Sequence, residues 1–84
     1  METRQKWPVV LVDDEEEILF GAEYLLNTHG ITAVLTLSDG RDLVPLLERQ
    51  TAGVIVLDFL MPHVSGLELL PRLTREYPEI PVVV

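Results

Sequence analysis

The 84-residue chain has no cysteine, which excludes disulfides, thiolate metal sites and thiol catalysis. Basic residues are also few, at six against 14 acidic ones, and the net charge of −8 disfavours direct nucleic-acid contact and favours a cation as companion. No apolar run approaches membrane-spanning length, and the N-terminus lacks the apolar core of a signal peptide. There is no glycine-rich phosphate loop of the Gly-x-Gly-x-x-Gly or Walker type. We therefore expect a single small domain over residues 1–84, cytoplasmic and without membrane or nucleic-acid contact.

One apolar run that ends on a carboxylate organises the chain. Val54–Leu57 is mostly β-branched and continuously apolar, which predicts a central parallel strand buried on both faces. Asp58 follows at once and is too costly to bury alone. It is therefore expected at the carboxyl end of the strand, where α/β sheets open into a ligand crevice. Pro62 and Gly66 mark the loop that follows.

A second apolar run, Val9–Val12, also ends on acid, at Asp13 and Asp14. If the two strands are neighbours, their ends lie about 4.8 Å apart and the three carboxylates converge. Such a group repels itself unless a cation sits between its members, and magnesium with oxygen ligands is the simplest answer. Taken alone, Asp13 and Asp14 fit a helix cap plus a solvated acid as well as they fit a metal site.

The remaining patterns alternate between helix and strand. Gly30 ends the first predicted helix, and Pro45 predicts a bent or weak second one. Pro71 predicts a kink near Leu67 in the third. The order calls for a parallel sheet with helices on both faces. After Val9–Val12 we predict a helix that Asp14 caps, with Glu17 at its third position and an inward stripe of Ile18, Leu19, Ala22, Leu25 and Leu26. A strand Ile31–Leu37, a helix from Ser38 and Asp39 through Gln50, and the Asp58 strand follow. The last predicted elements are a helix that Ser65 caps, which contains Leu67, Leu69, Leu70 and Leu73 and ends before Pro78, and a strand Ile80–Val84.

At these residues the chain resembles the receiver domain of two-component response regulators. The shared features are Val-Asp-Asp-Glu after the first strand, Val-Leu-Asp after the third, Met61 and Pro62 three and four residues past Asp58, and Gly66 eight past it. The resemblance implies a flavodoxin-like doubly wound α/β fold with strand order 2-1-3-4, the (βα)3β part of a (βα)5 receiver. It implies that Asp58 is the phosphoacceptor, with Mg²⁺ held by Asp13, Asp14, Asp58 and the backbone carbonyl of Leu60. The phosphodonor would be a sensor histidine kinase or a phosphotransfer protein.

Two departures from the family pattern stand out. Leu60 lies where many receivers carry a polar side chain, and an apolar residue there is expected to slow hydrolysis of the acyl phosphate. Family members also use a Ser or Thr after strand four and a Lys after strand five, and the sequence stops at Val84 before either. We therefore expect the first two-thirds of a receiver, with strand four as an apolar edge that favours self-association.

Two rival functions remain open. An aspartyl-nucleophile phosphohydrolase usually has a second acid two residues past the nucleophile, where this chain has Leu60. A phosphorylation-incompetent module would act through interaction or self-association alone. His63 follows Asp58 closely, but an exposed loop position explains it better than a ligand or a base.

Overall fold

The computed structural model describes residues 5–84, so the predicted domain start at Met1 lies outside the described residues. Strands and helices alternate along the chain, as the sequence predicts. The strands are β1 (Val9–Val12), β2 (Val34–Leu37), β3 (Val54–Leu57) and β4 (Val82–Val83), and the helices are α1 (Glu16–Thr28), α2 (Leu43–Arg49), which a 3₁₀ turn (Gly40–Asp42) precedes, and α3 (Gly66–Glu76).

All four strands form one parallel sheet in the order β2-β1-β3-β4, which confirms the predicted order. Strand β1 pairs on both sides, with Val12 level with Leu37 of β2 and with Leu57 of β3. The carboxyl ends of the three strands therefore meet at one edge of the sheet. The residues that follow each strand are neighbours there.

The main core lies on the sheet face that α2 and α3 cover. Val10 is level with Ile55 and Val12 with Leu57, so alternation along the strands points these four side chains to the same face. Leu43 of α2 and Leu73 of α3 complete the most deeply buried set, none of them more than 2% exposed. The full cluster is Val10, Val12, Leu43, Val44, Leu46, Leu47, Ala52, Ile55, Leu57, Leu69, Leu73 and Ile80.

The opposite face carries α1 and is less covered. Leu11 and Leu19 are buried there, but Ile18 is 53% and Leu25 is 59% exposed. The predicted inward stripe is therefore wrong for these two residues. Among the described residues, α1 packs on this face without a second helix beside it, so only the centre of its stripe meets the sheet. Beside α1 lies an open groove of about 230 Å³, lined in part by Ile18, Ala22, Val56 and Val84.

Helix α1 begins one residue later than predicted. Its N-cap is Glu15, whose side chain makes no capping bond, so the prediction of Asp14 as the cap is wrong. The reason is local: Asp13 Oδ1 accepts the Glu15 N–H at 2.9 Å and closes a turn ahead of the helix. The predicted stop at Gly30 is confirmed. Gly30 has φ 87°, and the Ile31 N–H donates to the Leu26 carbonyl at 3.0 Å, a Schellman ending.

Strands β2 and β4 are shorter than predicted. Ile31 cannot start β2 because its N–H is used by the end of α1. Ile80 is buried, but its N–H donates to the Tyr77 carbonyl at 3.1 Å in a turn, so β4 begins only after Pro81. Both β2 and β4 therefore begin later than predicted, because the first residues of each predicted strand belong to the turn that ends the preceding helix.

Two prolines lie inside helices. The expected second helix is split into the 3₁₀ turn and α2, which places Pro45 in the first turn of α2, where its missing N–H breaks no bond. Helix α3 continues through Pro71, and the kink near Leu67 stays a prediction. Ser65 caps α3 as predicted, within a capping box that Glu68 completes. Leu67 lies in this helix as predicted, and its side chain is 58% exposed.

Candidate metal and phosphoacceptor site

Asp13, Asp14 and Asp58 converge at the carboxyl edge of the sheet. The Asp58 N–H donates to the Val12 carbonyl at 2.9 Å, which extends the β1–β3 pairing up to the acid itself. One carboxylate oxygen from each of the three aspartates lies within 4.8 Å of the other two. Asp13 and Asp58 are half-buried, and Asp14 is exposed. The structure thus brings together the three acids that the sequence predicts.

No basic side chain among the described residues forms a salt bridge with these three aspartates. Carboxylates this close repel one another, and a cation between them removes that repulsion. The available donors are all oxygen atoms, which suits a hard divalent ion and leaves room for waters. The three acids therefore fit magnesium by their chemistry. We call Asp13, Asp14 and Asp58 the acid triad.

The loop after Asp58 folds back tightly on the end of β3. The Gly66 N–H donates to the Phe59 carbonyl at 3.1 Å and closes the loop at its base. Gly66 is buried, and a Cβ at this position would overlap the carbonyl oxygen of Asp58, so only glycine fits. The Leu60 N–H lies 3.4 Å from Asp58 Oδ1, and the Leu60 side chain is 78% exposed. The role of the Leu60 backbone carbonyl as a magnesium ligand stays a prediction.

The other predicted loop residues differ in their surroundings. Met61 is half-buried and packs against the main core, together with Val64. Pro62 is exposed, and its carbonyl accepts the Val64 N–H at 2.8 Å. His63 is exposed, as expected, with a backbone φ of 71°. Sequence reasoning missed this left-handed conformation, which non-glycine residues rarely adopt.

Asp39, an acid outside the triad, lies after β2 and has a different environment. Both of its carboxylate oxygens accept hydrogen bonds from the Arg41 guanidinium, the shorter from Nη2 at 2.7 Å. Its Oδ1 also accepts the Arg41 N–H at 2.9 Å. These bonds to Arg41 lower the pKa of Asp39 to about 2. Asp39 is therefore already paired and does not belong to the acid triad.

Sequence reasoning also missed the position of Gly40. This glycine is buried against the loop that follows Asp58. The available signal was the Ser-Asp-Gly sequence, which is typical of a tight turn. Without the tertiary structure, nothing indicates which surface such a turn contacts.

The comparisons with known proteins agree with this geometry. A family model described as "Response regulator receiver domain" matches residues 9–84. The chain belongs to the response regulator receiver domain family. Receiver domains are signalling modules, not turnover enzymes, and the family match confirms the resemblance on which the sequence prediction rests.

One curated relative of this receiver is the probable transcriptional regulatory protein TcrX of Mycobacterium tuberculosis, 35% identical over 75 residues, which are 89% of this chain and 32% of TcrX. The activated receiver domain of DrrB, a Thermotoga maritima response regulator, is 28% identical with a TM-score of 0.78 over 93% of this chain and 63% of that one. The response regulator protein TrrA, solved in complex with the histidine kinase ThkA, has a TM-score of 0.82 at 22% identity over 90% of this chain and 65% of that one, a likeness in fold alone.

The chain spans about a third of the length of TcrX and of the PhoP regulator of Bacillus subtilis. Among residues 5–84, no helix is long and apolar enough to cross a membrane. These matches therefore support an assignment of the receiver region alone.

Proposed function

We propose that residues 9–84 act as one phosphoacceptor unit of a two-component response regulator, with Asp58 as the phosphorylated residue. The observation that carries this proposal is the convergence of Asp13, Asp14 and Asp58 within 4.8 Å at the ends of two neighbouring strands. Asp58 is half-buried, and Leu60, Pro62 and His63 in the loop that follows it are exposed, which leaves this side of the site accessible. A crevice at the carboxyl ends of parallel strands is the usual ligand position in such sheets.

Asp13, Asp14 and the backbone carbonyl of Leu60 would hold magnesium beside Asp58. When bound, the ion supplies positive charge that lets two anions approach each other. Asp13 is held in place by its bond to the Glu15 N–H, at 2.9 Å. Asp58 is fixed through its own N–H on β1, so its carboxylate can turn towards a phosphoryl group without moving the strand.

The proposed reaction is a phosphoryl transfer from a phosphohistidine. An Asp58 oxygen forms a bond to phosphorus, the P–N bond breaks, and the imidazole leaves with its electron pair and takes up a proton. The product is an acyl phosphate on Asp58, which adds charge and acceptor oxygens at the crevice and shifts a nearby two-state element. The chain promotes this transfer once per molecule and does not release product as a turnover enzyme does.

The proposed donor is a sensor histidine kinase or a phosphotransfer protein. Family membership supports this partner, and the similar fold of TrrA in its kinase complex is consistent with it. The exposed loop beside Asp58 leaves a path by which a donor side chain can reach the carboxylate. A cytoplasmic location stays a prediction.

Labelling of the 84-residue chain with a small phosphodonor tests the proposal. We expect intact-mass spectrometry to show one added phosphoryl group with phosphoramidate and Mg²⁺, and none in Asp58→Asn. Asp42→Asn is the matched control, because Asp42 is an exposed acid of the 3₁₀ turn outside the triad. Labelling of Asp58→Asn to the same extent would contradict the proposal, and steady phosphate release from phosphomonoesters would favour the phosphohydrolase.

A second proposed function, self-association, is favoured by β4. Among residues 5–84 this strand lies at the edge of the sheet, and it pairs with β3 through Val82 and Val83. Val83 and Val84 are 54% and 55% exposed, which makes the edge apolar as well as open. Light scattering at tens of micromolar is expected to give a mass above that of one chain, and Val83→Lys is expected to reduce it. A monomeric mass for the unmodified chain would exclude this function.

A further inference from the structure

The turn after β2 supports the loop after β3 through a buried glycine. A Cβ built on Gly40 would lie 2.9 Å from Val64 Cγ1 and 3.1 Å from both Met61 Cε and the Val64 carbonyl oxygen. Contacts at these distances leave no room for a side chain, so the backbone of the turn touches the loop directly. Met61 and Val64 are the two residues by which this loop also packs on the main core.

The turn that carries Gly40 is held firmly. Asp39 accepts the Arg41 N–H at 2.9 Å across Gly40, and it also accepts a bond from Arg41 Nη2 at 2.7 Å. The Asp42 N–H donates to the Asp39 carbonyl at 3.1 Å and starts the 3₁₀ turn. Gly40 therefore belongs to a turn that hydrogen bonds close on both sides, and this turn contacts the loop.

The loop itself needs such support at its tip. Its base is closed by the Gly66 N–H to the Phe59 carbonyl, and its tip contains His63 with φ 71°, a costly conformation for a non-glycine residue. Leu60 lies between base and tip, with its N–H 3.4 Å from Asp58 Oδ1. A displacement of Met61 and Val64 would therefore move the backbone of Leu60 relative to the acid triad.

We propose that Gly40 is a positioning residue for the magnesium site: its contact with Val64 and Met61 fixes the loop that places Leu60 beside Asp58. This inference rests on the proposed function, because the site that it tunes is the proposed metal site. Gly40 touches neither the metal nor the phosphoryl group. Its effect passes through the Met61–Val64 segment.

A double-mutant cycle between Gly40 and Val64 tests the inference. Gly40→Ala adds a methyl group that pushes the loop outward, and Val64→Ala removes the methyl group nearest to it. We expect Gly40→Ala to weaken Mg²⁺ binding roughly tenfold, as loss of outer-shell support does. We expect Val64→Ala to weaken it less, and the double variant to recover part of the loss because the added methyl group fills the space that was vacated. Titration calorimetry measures the three affinities.

Gly21→Ala is the matched control, because in the described part of the chain no atom outside the local backbone of α1 lies within 4 Å of a Cβ at that position. It is expected to leave Mg²⁺ affinity unchanged. If Gly40→Ala does not fold, Val64→Ala decides, with Val34→Ala as its half-buried control at the far end of the sheet. Unchanged affinity in folded Gly40→Ala, or in Val64→Ala if Gly40→Ala does not fold, would overturn the proposal.

A second readout separates this inference from the proposed function. Hydrogen exchange of the Val64 and Gly66 amides reports loop order without any metal, since both N–H groups donate within the loop. We expect Val64→Ala to exchange these amides faster than Val34→Ala does. Faster exchange in a chain that does not bind Mg²⁺ would support loop positioning and refute the metal site. Unchanged exchange in both Gly40→Ala and Val64→Ala would refute the positioning role.

Discussion

Two groups of acids lie after neighbouring strands of the same sheet and meet opposite fates. Asp39, after β2, is paired with Arg41 at 2.7 Å and caps its own turn. Asp13, Asp14 and Asp58, after β1 and β3, lie within 4.8 Å of one another with no salt bridge among the described residues. The first acid stabilises the fold by an internal pair. The second group has no such partner among the described residues, and a cation between its members would remove their mutual repulsion.

The difference separates a charge that is paired within the fold from charges that are available to a ligand. A paired acid such as Asp39 gains less from a divalent ion than an unpaired one, because Arg41 already balances its negative charge. An unbalanced group stores repulsion that binding can release, and the free energy released contributes to affinity. The same edge of the sheet therefore contains both an internal ion pair and the proposed metal site, and their responses to metal, charge removal and pH should differ.

Added Mg²⁺ gives the largest expected contrast. At a free concentration 100 times the dissociation constant, the ion should raise the free energy of unfolding by about 2.7 kcal/mol. For a chain of this size that corresponds to a rise in melting temperature of roughly 10–20 °C. Scanning calorimetry with and without Mg²⁺ measures it.

Variants of Asp58 and of Asp39 show which of the two acid groups is responsible for the stabilisation by Mg²⁺. Asp58→Asn should lose the Mg²⁺ response, and Asp39→Asn should keep it, since Asp39 is committed to Arg41. An equal rise in melting temperature in Asp58→Asn and in the unmodified chain would mean that Mg²⁺ binds elsewhere. That result would contradict the proposed metal site at the acid triad.

The sequence allows the functional group to be predicted better than the structural one. Val9–Val12 and Val54–Leu57 each end on acid, and parallel neighbours bring such ends together, so the acid triad follows from the pattern once the two strands are known to be neighbours. The family resemblance supplied the strand order. By contrast, the Asp39–Arg41 pair and the contact of Gly40 with Val64 depend on side-chain choices and long-range packing that no local pattern encodes.

The errors in α1 and in the strand ends have one common cause. Asp14 is a good helix cap by residue type, but Asp13 takes the Glu15 N–H first and shifts the start of the helix. Ile18 and Leu25 fit an inward stripe by period, yet burial depends on what packs opposite them. Propensity and period describe what a residue can do locally. Competition for the same N–H or the same surface decides between the options.

Removal of one charge from the triad should have the opposite sign to removal of Asp39. Without divalent ions, Asp58→Asn should raise the free energy of unfolding by about 1 kcal/mol, the scale of one pair of charges near 4 Å in a water-like dielectric. The gain should shrink as salt screens the repulsion. Asp39→Asn should instead lower stability, since it breaks the ion pair with Arg41. Urea unfolding in the presence of a chelator compares the two variants; a loss of stability in Asp58→Asn would show that the triad is not repulsive.

The smallest expected effect is the acid response of Asp39. Its bonds to Arg41 lower its pKa from 3.8 to about 2, so its charged form favours the folded state. The stabilisation is complete above pH about 4 and is lost as the pH falls towards 2, because protonation of the folded state then ends the pairing. Asp39→Asn lacks this contribution at every pH. The stability difference between the unmodified chain and the variant should therefore be constant above pH about 4 and narrow between pH 4 and 2. Urea titrations at several pH values measure this difference in stability. A difference that stays constant down to pH 2 would show that the charged form of Asp39 does not stabilise the fold through Arg41.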